Sequence, residues 1–275
     1  MWPLTFISED DFTRHVQITI EKYGEKLTPY DLKRFNKNII DPIKLLFDKM
    51  VYHASWEDII RDEIFRQRDK SNNNSIGYFH QGIFQYISHC HVPANGQSGG
   101  WDVIYKRPEG IPIPAAGTVH TVYVEMKNKH NTMNAAAAGK TFIKMQHQLL
   151  HDDDCACFLV EAIAQHSQNI KWETTVDGAR VGHRLIRRVS LDQFYALVTG
   201  QHDAFYQICR TLPAVIERAL RLRPGGTIPH DTVTEELHAL AQKHPDLSDD
   251  LRFSMAVYLL GFREYHGFDG EKAGF

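Results

Sequence analysis

The segment TVYVEMKNKHN (residues 121–131) sets a carboxylate and an ammonium two residues apart. Read as a strand, its side chains alternate between faces. Val122, Val124 and Met126 then share an apolar face, and Tyr123, Glu125 and Lys127 share the other. Asp102 lies upstream in WDVIY (101–105), a candidate neighbouring strand, and pairing of the two would bring it to Glu125. Two carboxylates at a sheet end suit a hard divalent ion such as Mg²⁺, which takes oxygen ligands and keeps several waters. Phosphodiester hydrolysis uses such an ion to activate water and offset developing charge. A nearby lysine orients the water or stabilises the charge on the phosphate. Taken alone, an ExK triplet is more often a surface ion pair. The upstream Asp, the otherwise apolar strand and the run Lys127-Asn128-Lys129-His130-Asn131 make a nuclease centre an equal alternative.

Further candidates surround this segment. Lys129, His130, Asn131 and Asn134 follow it directly. Asn can bond adenine edges, and Lys can bond guanine or phosphate; equally, Asn131 and Asn134 can shape a turn. Lys140 and Lys144 flank the next helix and suit phosphate contact better than base reading. Arg180, His183, Arg184, Arg187 and Arg188 form the densest basic cluster, within a stretch (171–223) of net charge +4. Such a cluster can enter a groove and bond guanine bidentately, or be a solvated face. Arg61, Arg66, Arg68 and Lys70 read more simply as a solvated helix face. His89-Cys90-His91 with Cys155 and Cys157 matches no standard structural zinc spacing, and the two later cysteines share a strand face and read as packing. Gly139-Lys140-Thr141 ends like a phosphate-binding loop, but the required first glycine falls on Asn134, so that motif fails.

Helices dominate the first ninety residues. Ser8 with Asp11, and Ser55 with Asp58, resemble capping boxes. Thr28-Pro29 is an expected helix start, Asp41-Pro42 a break, and Asn72-Asn73-Asn74 a turn before the helix SIGYFHQGIFQYI. The middle switches to strand period at 101–105 and 119–127, joined by the Pro/Gly-rich segment RPEGIPIPAAG. A helix at 140–150 and a buried strand at 155–164 follow. The order helix, strand, strand, helix, strand implies an α/β core with a mixed sheet. Helices are expected at 191–200 and 203–222, then a linker at Arg223-Pro224-Gly225-Gly226 and a small helical tail.

The 275 residues carry 31 Lys+Arg against 34 Asp+Glu, a net charge of −3. That balance excludes a protein that coats nucleic acid by bulk charge. Divided along the chain, residues 1–230 carry +2 and 231–275 carry −5. With 43% hydrophobic residues the chain suits a packed globular core. Four cysteines without a repeated CxxC, no leader pattern and no apolar run near ~18–20 residues imply a reduced, cytoplasmic protein with no membrane partner.

The Asp…ExK arrangement resembles the PD-(D/E)XK nuclease core, with Trp101 in place of the usual proline. More specifically, the chain resembles type II restriction endonucleases that cut GGNCC or GGWCC sites. The resembling segments are RFNKNIIDPIKLLFD (34–48), DKSNNNSIGYFHQGIF (69–84), VEMKNKHNTMN (124–134), FIKMQHQLLHDDDCACFLVEAIA (142–164) and RRVSLDQFYALVTG (187–200). The resemblance implies a restriction-endonuclease-like α/β fold, a mixed central sheet flanked by helices with helical additions at both ends. It would comprise a catalytic and DNA-binding domain over 1–223, with its nuclease core at 91–165, and an acidic extension over 224–275. It implies that Asp102 and Glu125 bind Mg²⁺ and that Lys127 is the catalytic lysine. Glu63 or Gln81, on helices before the sheet, would complete the centre. DNA contacts are expected from Lys129, His130, Asn131, Asn134, Lys140, Lys144, Arg184, Arg187 and Arg188. The implied partners are double-stranded DNA, a second copy of the chain and a cognate DNA methyltransferase. The alternatives are a repair or recombination nuclease on the same core, and a DNA-binding module that has lost catalysis.

Overall fold

The computed structural model describes residues 2–25, 28–94, 96–222, 230–243 and 245–263. The expected linker at 223–226 lies outside them. Four helices come first: α1 (Glu9–Glu25), α2 (Leu32–Phe35), α3 (Pro42–Tyr52) and α4 (Trp56–Gly82). The strands are β1 (Cys90–His91), β2 (Val103–Ile113), β3 (Gly117–Lys129), β4 (Cys155–Ile163), β5 (Asn169–Val176) and β6 (Ala179–Ser190). Helix α5 (Ala135–His151) joins β3 to β4. Helices α6 (Leu191–Thr199), α7 (Ala204–Leu222), α8 (Val233–Ala241) and α9 (Asp249–Phe262) follow the sheet.

The six strands form one sheet in the order β1-β2-β3-β4-β6-β5. β1–β2, β2–β3 and β5–β6 pair antiparallel, while β3–β4 and β4–β6 pair parallel. The sheet is therefore mixed, as the alternation of elements implied. β4 reads as a continuous apolar run because both of its faces are covered. On one face, Val122, Val124, Met126, Ala156, Phe158 and Val160 pack with α1, α6 and α7. On the other, Phe142 and Met145 of α5 pack with Trp101, Ile104, Cys157, Leu159 and Ile186.

The chain divides into two compact units: Met1–Ile20 with Ser75–Pro224, and Glu21–Asn74 with Gly225–Phe275. The first holds the sheet. The second has its own core, where Tyr30, Phe35, Trp56 and Ile60 pack against Leu237, Phe253, Val257 and Leu260. Residues 233–260 of the tail share this core with residues 30–64.

Three local expectations are corrected. Helix α2 starts at Leu32, not after Thr28, because Asp31 caps it by accepting from Arg34 N at 2.7 Å. The three asparagines make no turn: α4 runs through them, Asn73 bonding Asp69 at 2.9 Å one turn back and Ser75 being buried. Tertiary packing here overrides weak local preference. The Pro/Gly-rich segment is strand rather than loop, with β2 irregular between Lys106 and Ile111. On its far side β2 pairs through Ile104 and Tyr105, and Lys106 N donates to His89 O at 2.9 Å. Pro108 and Pro112 therefore lie on an open edge where no N–H donor is required.

Both capping boxes form. Ser8 Oγ accepts from Asp11 N at 3.0 Å, and Ser55 Oγ from Asp58 N at 3.1 Å. Among the described residues, no helix is long and apolar enough to cross a membrane.

Candidate active site

β3 alternates as its sequence requires, so Glu125 and Lys127 leave the sheet on the α5 face. β2 supplies the second carboxylate. Val103 pairs with Val124, and Asp102 N donates to Val124 O at 2.9 Å, which sets Asp102 beside Glu125. Gly99 and Gly100 precede it with φ of 74° and 69°. That left-handed pair is open to glycine at no steric cost, and it turns the chain sharply into β2. The Met126 N–H donates to Asp102 Oδ2 at 2.6 Å and fixes the carboxylate against β3.

Glu125 accepts two ammonium groups. Lys127 Nζ reaches Oε1 at 2.7 Å, and Lys144 Nζ, from α5, reaches Oε2 at 2.8 Å. Lys144 Nζ also donates to Gly100 O at 2.7 Å and stands 4.1 Å over the Trp101 ring. Trp101 is buried and donates its Nε1–H to Gln148 one turn further along α5. Trp101 is thus a platform beneath the second lysine.

The two carboxylates titrate in opposite directions. Burial is the main influence on Asp102 and, with the Glu125 charge, raises its pKa against the pull of the Met126 amide and both lysines. Burial also acts to raise Glu125, but hydrogen bonds and charge from Lys127 and Lys144 outweigh it and lower that pKa. Neighbouring acids whose environments drive their pKa values apart are a signal of a functional site. Among the described residues, no group of three or more His, Cys, Asp or Glu is arranged to hold a metal. Two adjacent carboxylates still fit a hard divalent ion that takes its remaining oxygens from water and a phosphate.

The sequence profile of the Eco47II restriction endonuclease family matches residues 4–221. The chain belongs to the Eco47II restriction endonuclease family. The type II restriction enzyme Sau96I of Staphylococcus aureus is 29% identical over 222 residues, covering 78% of this chain and 80% of that protein. The type II restriction enzyme Eco47II of Escherichia coli is 27% identical over 237 residues, covering 81% and 90%. A member of this family is a type II restriction endonuclease, a site-specific deoxyribonuclease that binds double-stranded DNA.

Other residues singled out in the sequence are placed differently. Glu63 lies in the unit without the sheet, and its carboxylate is taken by Arg66 and Gln67. Gln81 lies in the sheet-bearing unit, one helical turn after Gly77. A Cβ on Gly77 would sit 3.3 Å from the Asn128 side chain, so this end of α4 runs beside the end of β3. Asn134 caps α5, accepting from Ala137 N at 2.9 Å, which is the turn-shaping role. Arg187 is buried with its guanidinium on Asn169, and Arg188 bonds Glu161 and the His130 carbonyl. These two arginines tie β6 to β5 and to β4. Lys129, Asn131, Lys140, Arg180, His183 and Arg184 are exposed.

Glu161 escaped the sequence reading. It is 1% exposed at the end of β4, directly across from Lys127, and Arg188 donates to its Oε1 at 2.9 and 2.7 Å. Its only signal was a lone acid in the apolar run CACFLVEAIA. The partner could not be found without knowing that β6 lies beside β4.

Proposed function

We propose that this chain cuts double-stranded DNA at a short palindromic, GC-rich site of the GGNCC or GGWCC type, leaving 5′-phosphate ends. The centre would be of PD-(D/E)XK type, with Asp102, Glu125 and Lys127 as its catalytic residues. The observation that carries this reading is the meeting of Asp102 and Glu125 across β2 and β3, with Lys127 on the same carboxylate.

Asp102 and Glu125 would hold Mg²⁺, which when bound supplies positive charge at the phosphate and a water activated for attack. The Met126 amide keeps Asp102 from rotating away. Lys127 presents its ammonium beside the same carboxylate, where negative charge builds on the phosphate as the bond to water forms. A preorganised donor of this kind contributes about 10²–10³-fold to the rate. Glu63 or Gln81, both on α4, would be the accessory residue.

Lys129, Asn131, Lys140 and Arg184 are the DNA contacts that exposure favours. The enzyme would act as a homodimer, each copy cutting one strand, since a palindromic site matches two-fold protein symmetry. Helix α3 offers a surface for it. Phe47, Met50, Val51 and Tyr52 are each more than 60% exposed, and Ile39, just before the helix, is 99% exposed. An apolar patch of this extent marks an interaction surface. Ile43, Phe47 and Val51 recur every four residues along α3, the spacing of a helix ridge that packs into a second copy. Lys44 and Asp48 pair beside the ridge, so an antiparallel copy would meet each charge with its opposite. The enzyme would work in the cytoplasm beside a methyltransferase that protects the same site.

Digestion of an unmodified DNA of known sequence with Mg²⁺, followed by mapping of the ends, tests the reading. Discrete fragments with 5′-phosphates at one short palindrome support it. Nicking that follows DNA structure instead of sequence contradicts it.

A further inference from the structure

Both oxygens of Glu125 are occupied by ammonium groups, and the two lysines are not equivalent. Lys127 comes from the same strand, two residues on, and bonds Glu125 Oε1. Lys144 comes from α5 and has three partners: Glu125 Oε2 at 2.8 Å, Gly100 O at 2.7 Å and the Trp101 ring at 4.1 Å. Only the first of these is charged.

A divalent ion on Glu125 competes with both ammonium groups for the carboxylate, and like charges at contact distance repel. Uptake of the ion therefore favours displacement of one ammonium. Lys144 is the one that can leave without losing its other partners. The Gly100 carbonyl and the Trp101 face still hold it, and the ring's negative face receives a cation. Trp101 in turn is fixed by burial and by its bond to Gln148. A lysine whose task was to reach out to phosphate would have no need of this seat.

We propose that Lys144 is a positioning residue that acts as a built-in counter-ion. It neutralises Glu125 while no divalent ion is bound, and it moves back onto Gly100 O and Trp101 when one is taken up. This rests on the reading of Glu125 as a metal ligand. Lys144 thereby competes with the metal and weakens its binding in the absence of DNA.

The test is Mn²⁺ binding to the full-length, DNA-free protein, followed by the electron paramagnetic resonance of free Mn²⁺. Lys144→Met removes the competitor and should bind Mn²⁺ tighter, on the order of tenfold. Lys144→Arg keeps the charge and should stay near wild type. Lys144→Gln supplies the same readout if the Met variant does not fold. Unchanged or weaker binding in the neutral variants overturns the proposal, because a merely structural lysine would lower affinity when removed. Glu125→Gln separates the two levels. Loss of Mn²⁺ binding in that variant upholds the metal site whatever Lys144 does, while wild-type binding there overturns both.

Discussion

At Glu125 burial acts to raise the carboxylate pKa, and hydrogen bonds and charge from two lysines more than reverse it. His80 has no such help. Burial, with the His15 charge, lowers its pKa from 6.5 to about 4. Between those values the unfolded chain binds a proton that the folded chain refuses. Its contribution to stability is therefore complete above the unfolded pKa and is lost as pH falls toward the folded one, by up to about 3 kcal/mol. Urea midpoints measured from pH 7 to pH 4 should fall less steeply for His80→Gln than for wild type. Equal slopes would show that His80 already carries a proton in the fold. At this scale the sequence was legible where one strand sufficed. Glu125 and Lys127 follow from alternation along β3, and Asp102 from a single pairing. Lys144 reaches the centre only because of how α5 lies across the sheet, and no spacing along the chain encodes that.

Among the elements, the strand ends are fixed by a buried ion pair. Arg188 of β6 ties Glu161 of β4 to the His130 carbonyl just beyond β3. Removing one partner leaves a buried charge alone, which costs about 3–5 kcal/mol, whereas replacing both with apolar residues is often close to neutral. Arg188→Leu should therefore destabilise far more than Glu161→Leu combined with Arg188→Leu. Thermal unfolding checks the ordering, and an additive double variant would contradict it. Cutting should fall with the single variant as well, because Glu161 sits across the ladder from Lys127. The β5–β6 hairpin was legible but unread. Asp177-Gly178 is a strong two-residue hairpin signal, and both residues adopt left-handed φ of 50° and 80°. The second half of β2 was misread for a physical reason, since proline counts against a strand except at an open edge.

For the whole molecule, the family profile ends at residue 221 while the core of the second unit does not. Val233, Leu237, Phe253, Val257 and Leu260 are buried there against residues 30–64. Each such side chain contributes about 1.5–3 kcal/mol by burial. A chain ending at residue 222 should lose cooperative unfolding of that unit and aggregate. A truncated protein as stable as wild type would mean that residues 21–74 hold together alone. No periodicity could join segments so far apart in sequence, so the division into units was hidden although nearly every helix was expected. Sedimentation should give a dimer for the intact chain and a monomer for Phe47→Asp. A dimer that survives this change would move the interface away from α3.

The most direct test of the account concerns Asp102, Glu125 and Lys127 as one catalytic centre. Single-turnover cleavage of a fragment carrying the mapped site should be compared for wild type, Glu125→Gln and Lys127→Met, with DNA binding measured alongside in the absence of divalent ions. Both variants should bind the fragment and cut it slower by at least about 10²–10³-fold. Wild-type cutting by either variant would contradict the account.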